Sequence, residues 1–321
     1  MDTSRLKEIN KSKVRTALRS EETSSKNSLS KITGLSVATC GTIIGELIES
    51  GEAIELSFAA STGGRRSRQF KYNENYAYFM SLYVRQEAGE QSIVYTISNL
   101  YGQIIETELK MIDFVSKEII HDLIELYQKK YSQLLYITIG IPGVVKEGKI
   151  NICDIKTLSH LDLKVYLESS LNIQVLIEND VNATAVGYYN KLDVCDESFA
   201  YLYYPVLGQP GAGIMIDGNI LRGKSHFAGE VGFLCAGVTK KEEKLKSVTE
   251  TLKSLTCILN PKYIVISGLE FDKDDIEIIS LSLTNIIGNE HTPEIIFEHD
   301  FHDSYMYGLM TIGLNHYIEE K

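Results

Sequence analysis

Long apolar runs, paired cysteines and an apolar leader are all missing from this 321-residue chain. It has no stretch of about 18 uncharged apolar residues, which excludes a transmembrane helix. Met1 to Ser20 is studded with Lys, Arg and Glu and lacks the apolar core of a signal peptide, so a cytoplasmic protein is expected. Cys40, Cys153, Cys195, Cys235 and Cys257 are odd in number and scattered, with no CxxC. That excludes a disulfide framework and a zinc knuckle, and predicts buried free thiols. The length suffices for about two or three domains with a sizeable core.

A uniform excess of negative charge would exclude a polyanionic partner, but the charge is not uniform. The net charge is −11 overall. Residues 1–72 hold 12 Lys and Arg against 8 Asp and Glu, whereas the remainder holds 20 against 35. A basic head on an acidic body is the asymmetry expected when one end alone meets a polyanion.

The basic head has its own pattern. Leu6, Ile9, Val14 and Leu18 give Arg5 to Leu18 a helical spacing, and a polar loop from Ser20 to Asn27 follows. Leu29 to Ser36 then reads as a short helix, a turn at Gly34 and a new cap at Ser36. The next helix, Val37 to Ser50, carries Ile43, Ile44, Leu47 and Ile48 on one face and closes at Gly51. Its other face begins with Ser36, Val37, Ala38, Thr39 and Thr42, short enough to approach base edges and phosphates. Helix, glycine turn and polar-fronted helix form the helix-turn-helix pattern. Ala53 to Leu56 and Phe70 to Tyr72 then read as a hairpin around Ser61-Thr62-Gly63-Gly64-Arg65-Arg66-Ser67-Arg68. Such a wing would bring Arg65, Arg66 and Arg68 to phosphates or a minor groove. The competing reading is a helical oligomerisation domain with a solvated basic loop.

Beyond residue 73 the pattern is α/β. A three-strand meander spans Tyr78 to Leu109, a helix Ser116 to Lys130, and a buried strand Leu134 to Gly140 that ends in Gly140-Ile141-Pro142-Gly143. Glycines at a strand end let backbone approach a ligand closely. A helix from Leu161 to Leu171 leads to Ile173, Val175 and Ile177, a strand that delivers Asn179 and Asp180 to the mouth of a helix. Polar groups at the carboxyl end of a strand face the binding crevice of such folds. Asp180 there can act as a base toward a substrate hydroxyl, hold that hydroxyl by hydrogen bonding, or simply cap the helix. A second lobe runs from Phe199, with a hairpin turn at Asp217-Gly218-Asn219, the run Ala228-Gly229-Glu230-Val231-Gly232-Phe233, a helix Lys241 to Leu259 and a strand Tyr263 to Ser267. A last helix, Tyr305 to Ile318, is expected to pack back on the first lobe.

Leu29 to Gly51 followed by Ser-Thr-Gly-Gly-Arg-Arg resembles the N-terminal winged helix of the ROK family (repressor, open reading frame, kinase), and the rest resembles that family's sugar-kinase body. The resemblance implies an N-terminal winged helix-turn-helix over 1–72 and a two-lobed actin-like ATPase and sugar-kinase (ribonuclease H-like) fold. Its lobes would be 73–190, joined by the helix at 305–321, and 191–304. Asn179 and Asp180 match the family pair that binds sugar hydroxyls, Glu230 matches its next polar contact, and Gly143 and His160 are neighbours of that pocket.

The phosphate side departs from the family. Where ROK kinases carry an Asp and then Gly-Gly-Thr, this chain reads Ser81-Leu82-Tyr83-Val84-Arg85-Gln86, with no acid to help hold Mg²⁺. The second phosphate loop is Leu207-Gly208-Gln209-Pro210-Gly211-Ala212-Gly213, where Pro210 lacks an amide donor. Phe233 stands at the zinc-ligand His and Cys235 is the lone thiol of the cysteine segment, so no metal site and no cofactor are expected. Phe233 can instead stack on a sugar face.

The sequence therefore predicts a sugar-responsive transcriptional regulator that represses carbohydrate-utilisation genes. Its expected partners are operator DNA, a sugar or sugar-phosphate effector and a second copy, as a homodimer or dimer of dimers, without a membrane. The alternatives are an active ATP-dependent sugar kinase with a DNA-binding appendage, and a constitutive regulator with a vestigial pocket.

Overall fold

The computed structural model describes residues 3–56, 67–87, 90–192, 197–205, 209–234, 241–268 and 271–320. Arg65 and Arg66 lie outside those residues, as do Cys195 and Cys235.

Three helices come first: α1 (Thr3–Ser20), α2 (Lys26–Thr33) and α3 (Val37–Glu49). Ser25 and Ser28 form a capping box at the start of α2, and Gly34 closes it with φ of 71°. Ser36 caps α3, accepting from the Thr39 amide at 3.0 Å. The axes of α2 and α3 bend by 111° across that turn. Strands β1 (Ala53–Leu56) and β2 (Gln69–Tyr72) pair antiparallel, Ala53 opposite Tyr72 and Leu56 opposite Gln69. Arg15 clamps Glu52 through two bonds of 2.7 and 3.0 Å inside this unit, and the Tyr72 hydroxyl donates to the same carboxylate at 3.4 Å.

The body uses one sheet plan twice. Strands β3 (Tyr78–Glu87), β4 (Glu90–Asn99) and β5 (Ile104–Ile112) form an antiparallel meander. Helix α4 (Lys117–Lys130) then leads to β6 (Leu134–Ile141), parallel to β3. A small hairpin, β7 (Gly143–Lys146) and β8 (Lys149–Cys153), precedes α5 (Leu163–Leu171) and β9 (Gln174–Asn179), which joins β6 in parallel. The order is β5-β4-β3-β6-β9. After α6 (Asp180–Lys191) the plan repeats with β10 (Phe199–Tyr203), β11 (Gly211–Ile216) and β12 (Asn219–Ile220), then α7 (Lys241–Leu259), β13 (Tyr263–Ser267), α8 (Lys273–Ile287) and β14 (Glu294–Glu298). Its order, β12-β11-β10-β13-β14, matches the first. Helix α9 (His302–Glu320) ends the fold.

Period-two alternation sorts each sheet into two faces. Met80, Leu82, Ile137, Ile139 and Val175 turn one face of the first sheet toward α4 and α5. The opposite face carries the buried Ser81, Thr96 and Thr138 with Gly140, small residues that admit α9 closely. A Cβ on Gly313 would stand 2.5 Å from Thr138 Oγ1. The second sheet sends Ala200, Leu202, Ile264 and Ile266 to α7 and α8, and Phe199, Tyr201 and Val265 to α6. Helices α6 and α9 thus lie between the sheets. They cross where a Cβ on Gly308 would meet the Ala183 carbonyl oxygen at 1.7 Å.

The expected elements appear within a few residues, and Asp217 (φ 49°) with Gly218 (φ 73°) makes the two-residue turn between β11 and β12. Strands β7, β8 and β14 and helix α8 lack a counterpart in the sequence reading. Cys40 and Cys153 are buried, but Cys257 is exposed, contrary to the expectation of buried thiols.

Candidate functional site

The edge strand β9 ends by handing its chain to α6, and that junction builds the site. Asn179, not Asp180, is the N-cap: its Oδ1 accepts from the Asn182 amide at 2.9 Å. Its Nδ2 donates to Gly143 O and to Asp180 Oδ1, each at 3.0 Å. The Val181 amide donates to the same Asp180 oxygen at 2.9 Å. Capping alone therefore does not account for Asp180.

Gly143 has φ of 156°, and a Cβ on it would stand 2.2 Å from Ile152 O across the β7–β8 hairpin. The hairpin places Asp154 at the same end, its amide donating to Pro142 O at 3.0 Å. From the second lobe comes Glu230. Gly229 (φ 93°) packs against β11, accepting from the Ala212 amide at 2.7 Å. The next residue of β11, Gly213, packs on α6, where a Cβ would meet Ala185 Cβ at 2.5 Å and Val181 O at 2.6 Å. Within Gly211-Ala212-Gly213, Gly213 is thus accounted for by its packing on α6.

Three carboxylates result, within electrostatic reach of one another. Burial, opposed by the Val181 amide and reinforced by Asp154 and Glu230, pushes the Asp180 carboxyl up to about 7. Glu230 is raised by burial and by Asp154, and Asp154 by burial. Asp154 went unnoticed in the sequence because the β7–β8 hairpin that positions it was not foreseen.

Glu178 is a second residue that the sequence reading missed. Its Oε1 accepts from the Asn179 amide at 3.0 Å and from Asn182 Nδ2 at 3.1 Å. Its Oε2 accepts from Arg222 Nη2 at 2.5 Å, an ion pair from β9 to the segment after β12. Arg222 is thus tied to the first lobe by a carboxylate rather than left as a free loop cation. His226 makes a parallel contact, Nδ1 to Val145 O at 2.9 Å. Both contacts border a cavity of about 650 Å³ lined also by Lys164, Tyr189 and Asn315, and Asn179, Asp180 and Glu230 are not among its walls.

The cleft side of the site is filled with rings. Tyr83 is buried and stacks on Tyr305 with centroids 4.4 Å apart. Its hydroxyl lies 3.1 Å from His302 Nδ1. Phe301 joins that stack to Tyr203 on β10, at 4.6 Å, so the rings run from the first sheet to the second. His302 is thus part of a packed polar contact. Phe233 is 66% exposed and leans on Phe227 at 5.1 Å. His160 is exposed in the turn after the short helix Lys156–Leu158, with φ of 62°. No described hydrogen bond joins Phe233 or His160 to Asn179 or Asp180.

At the N-terminal end, Ser36, Val37, Ala38 and Thr42 are exposed at the start of α3, and Thr39 is half-buried. Arg68 pairs with Glu55 across the hairpin at 2.8 Å. Among the described residues no single helix is long and apolar enough to cross a membrane, and no His, Cys, Asp and Glu cluster is arranged to hold a metal ion.

Comparison with known proteins fits this geometry. Residues 85–244 match the ROK family. The xylose repressor of Caldicellulosiruptor bescii is 30% identical over 240 residues, covering 71% of this chain and 58% of that protein. The Escherichia coli regulator NagC is 26% identical over 212 residues, covering 62% and 50%. The chain thus spans less than two thirds of the length of these curated relatives. Among solved structures, a ROK family transcriptional regulator homologous to E. coli MLC superposes with a TM-score of 0.64 at 16% identity, covering 96% of each chain. The ROK hexokinase of Thermus thermophilus gives 0.61 at 15% identity, over 76% of this chain and 100% of the hexokinase. Two lobes built on one sheet plan and the family match agree: residues 85–244 carry a ROK family domain.

Proposed function

We propose that this protein is a sugar-responsive DNA-binding regulator, a repressor of carbohydrate-utilisation genes, whose kinase-like body senses its sugar without phosphorylating it. One observation carries the reading. Asn179, Asp180 and Glu230 converge with Asp154 at one site, while Tyr83, at the position where the family resemblance implies a metal-binding acid, is packed in a ring stack on Tyr305. Phosphoryl transfer needs metal and phosphate cradles, and hydroxyl recognition needs neither.

Residues 1–72 are the DNA-binding unit in this account, with 73–190 plus 305–321 and 191–304 as the two lobes. The 111° bend between α2 and α3, the exposed start of α3 and the β1–β2 hairpin support a winged helix-turn-helix. Ser36, Val37, Ala38, Thr39 and Thr42 would face the major groove, and Arg65, Arg66 and Arg68 the phosphates. In this reading the protein acts in the cytoplasm as a two-fold homodimer on paired half-sites, since paired half-sites need paired helices.

The effector contacts are Asn179, Asp180 and Glu230, with Gly143 holding Asn179 and with His160 and Phe233 at the rim. Asp154 adds a third carboxylate, and the Arg222 guanidinium is already engaged by Glu178. That charge favours an uncharged sugar over a sugar phosphate. Kinase activity has one observation in its favour, since an Asp180 carboxyl near 7 suits a general base. Calorimetry with D-xylose, D-glucose, N-acetyl-D-glucosamine and their phosphates, beside a coupled ATP assay, separates the readings. Binding of a neutral sugar without turnover is expected, and turnover abolished by Asp180→Asn would refute the sensor.

A further inference from the structure

Helix α9 touches both ends of the molecule. Its first turns belong to the sugar side. Tyr305 is buried against Gly140, where a Cβ would stand 2.1 Å from its hydroxyl, and stacks on Tyr83. Lys191 of α6 donates to Ser304 Oγ at 3.0 Å. The Gly308 crossing sets α9 directly on the backbone of Ala183 and Gly187, one turn from Asp180. No side chain lies between the two helices at that point to absorb a shift.

Its last turns belong to the N-terminal unit. Tyr317 shares one buried core with Val14, Leu18, Ile44, Leu47, Phe70 and Tyr72. It packs edge-on against Phe79 at 5.5 Å and Tyr136 at 5.9 Å. Tyr72 in turn donates to Glu52, the residue clamped by Arg15 of α1. Tyr136 also bonds to Glu320 of α9. From Tyr305 to Tyr317 the helix spans ~18 Å at ~1.5 Å per residue. α9 has no proline and no break, so it can transmit a displacement as a rod.

We infer that α9 is the relay between the sugar site and the DNA-binding unit, and that Tyr317 is the positioning residue through which the relay acts on Tyr72, Glu52 and Arg15. The inference rests on the sensing role proposed above. Sugar held by Asn179, Asp180 and Glu230 fixes the start of α6, α6 shifts α9 at the glycine crossing, and Tyr317 shifts the seat of α1 and β2. A sensor with this wiring responds only if its two states differ at both ends.

Hydrogen–deuterium exchange on the full chain tests it, with D-xylose, D-glucose and N-acetyl-D-glucosamine as probes. In the native protein a bound sugar should slow exchange in α6 and alter it in residues 10–20 and 43–53 by about threefold or more. Tyr317→Leu should keep the α6 effect and cut the N-terminal response to about a third or less. Tyr317→Phe, which keeps the ring but removes the hydroxyl that hydrogen-bonds with Tyr72, is the second variant should Tyr317→Leu not fold; it should at least halve that response. A response of native size in the variant, or α6 protection with no N-terminal change in the native protein, overturns the relay. No protection of α6 by any of the sugars overturns the sensing role itself, and the relay with it.

Discussion

Replacing Asp180 by Asn should stabilise the unliganded protein while removing its response to sugar. Asn keeps an oxygen for the Val181 amide and the Asn179 Nδ2, so both local bonds survive. What disappears is a carboxylate that burial, Asp154 and Glu230 disfavour, its value raised from 3.8 to about 7. A group whose folded value is raised binds its proton more tightly in the folded state, so stability falls as pH rises from about 4 to about 7. The penalty is small below about pH 4 and complete above about pH 7. The full shift would amount to roughly 4 kcal/mol, and relaxation around a half-buried group reduces that to about 1–2 kcal/mol. Thermal unfolding at pH 8 should therefore show Asp180→Asn melting ~2–6 °C above the native protein, with the difference shrinking toward pH 4.5. Calorimetry should show no sugar binding by the variant. A variant less stable than the native protein at pH 8 would refute the strain argument and make Asp180 a structural residue.

Other consequences concern the helices and the N-terminal unit. Gly308→Ala puts a Cβ 1.7 Å from the Ala183 carbonyl oxygen, so α6 and α9 must part, at a cost of about 3 kcal/mol readable as a lower urea midpoint. Glu52→Gln leaves Arg15 buried without its counter-charge and should lower stability by about 3 kcal/mol, seen first as faster amide exchange in α1. DNA affinity should fall steeply with salt, and replacing Arg65 and Arg66 by Ala should flatten that slope by about two phosphate contacts.

Much of this was readable from residue order because local physics decided it. Ser36, Gly34 and the Asp217-Gly218 turn announce themselves by residue type, since few other residues cap a helix or take positive φ. The Asn179-Asp180 junction was likewise visible as a strand ending in polar residues before an alanine-rich run. The β7–β8 hairpin escaped notice because its strands have only four and five residues, too short for a period to register. Helix α8 is rich in isoleucine, and its buried Ile276, Ile279 and Leu283 are interleaved with exposed Ile278 and Leu281, which blurs the apolar stripe. Asp154 and Glu178 were missed for a different reason. Each meets a partner more than twenty residues away, Asp180 for the first and Arg222 for the second, and no local pattern encodes such a meeting. Glycine gives the opposite case: Gly213 reads as part of a phosphate loop, yet the press of α6 on β11 alone accounts for it.

The central claim is that one chain reads DNA with its head and a sugar with its body, without catalysis. The most direct test is fluorescence anisotropy of the full chain on DNA flanking its own gene, titrated with D-xylose, D-glucose and N-acetyl-D-glucosamine. The account predicts that one neutral sugar changes DNA affinity by about tenfold or more, a coupling of ~1.4 kcal/mol, and that Asp180→Ala abolishes the change. DNA affinity indifferent to every sugar, together with ATP-dependent phosphorylation of one of them, would contradict it.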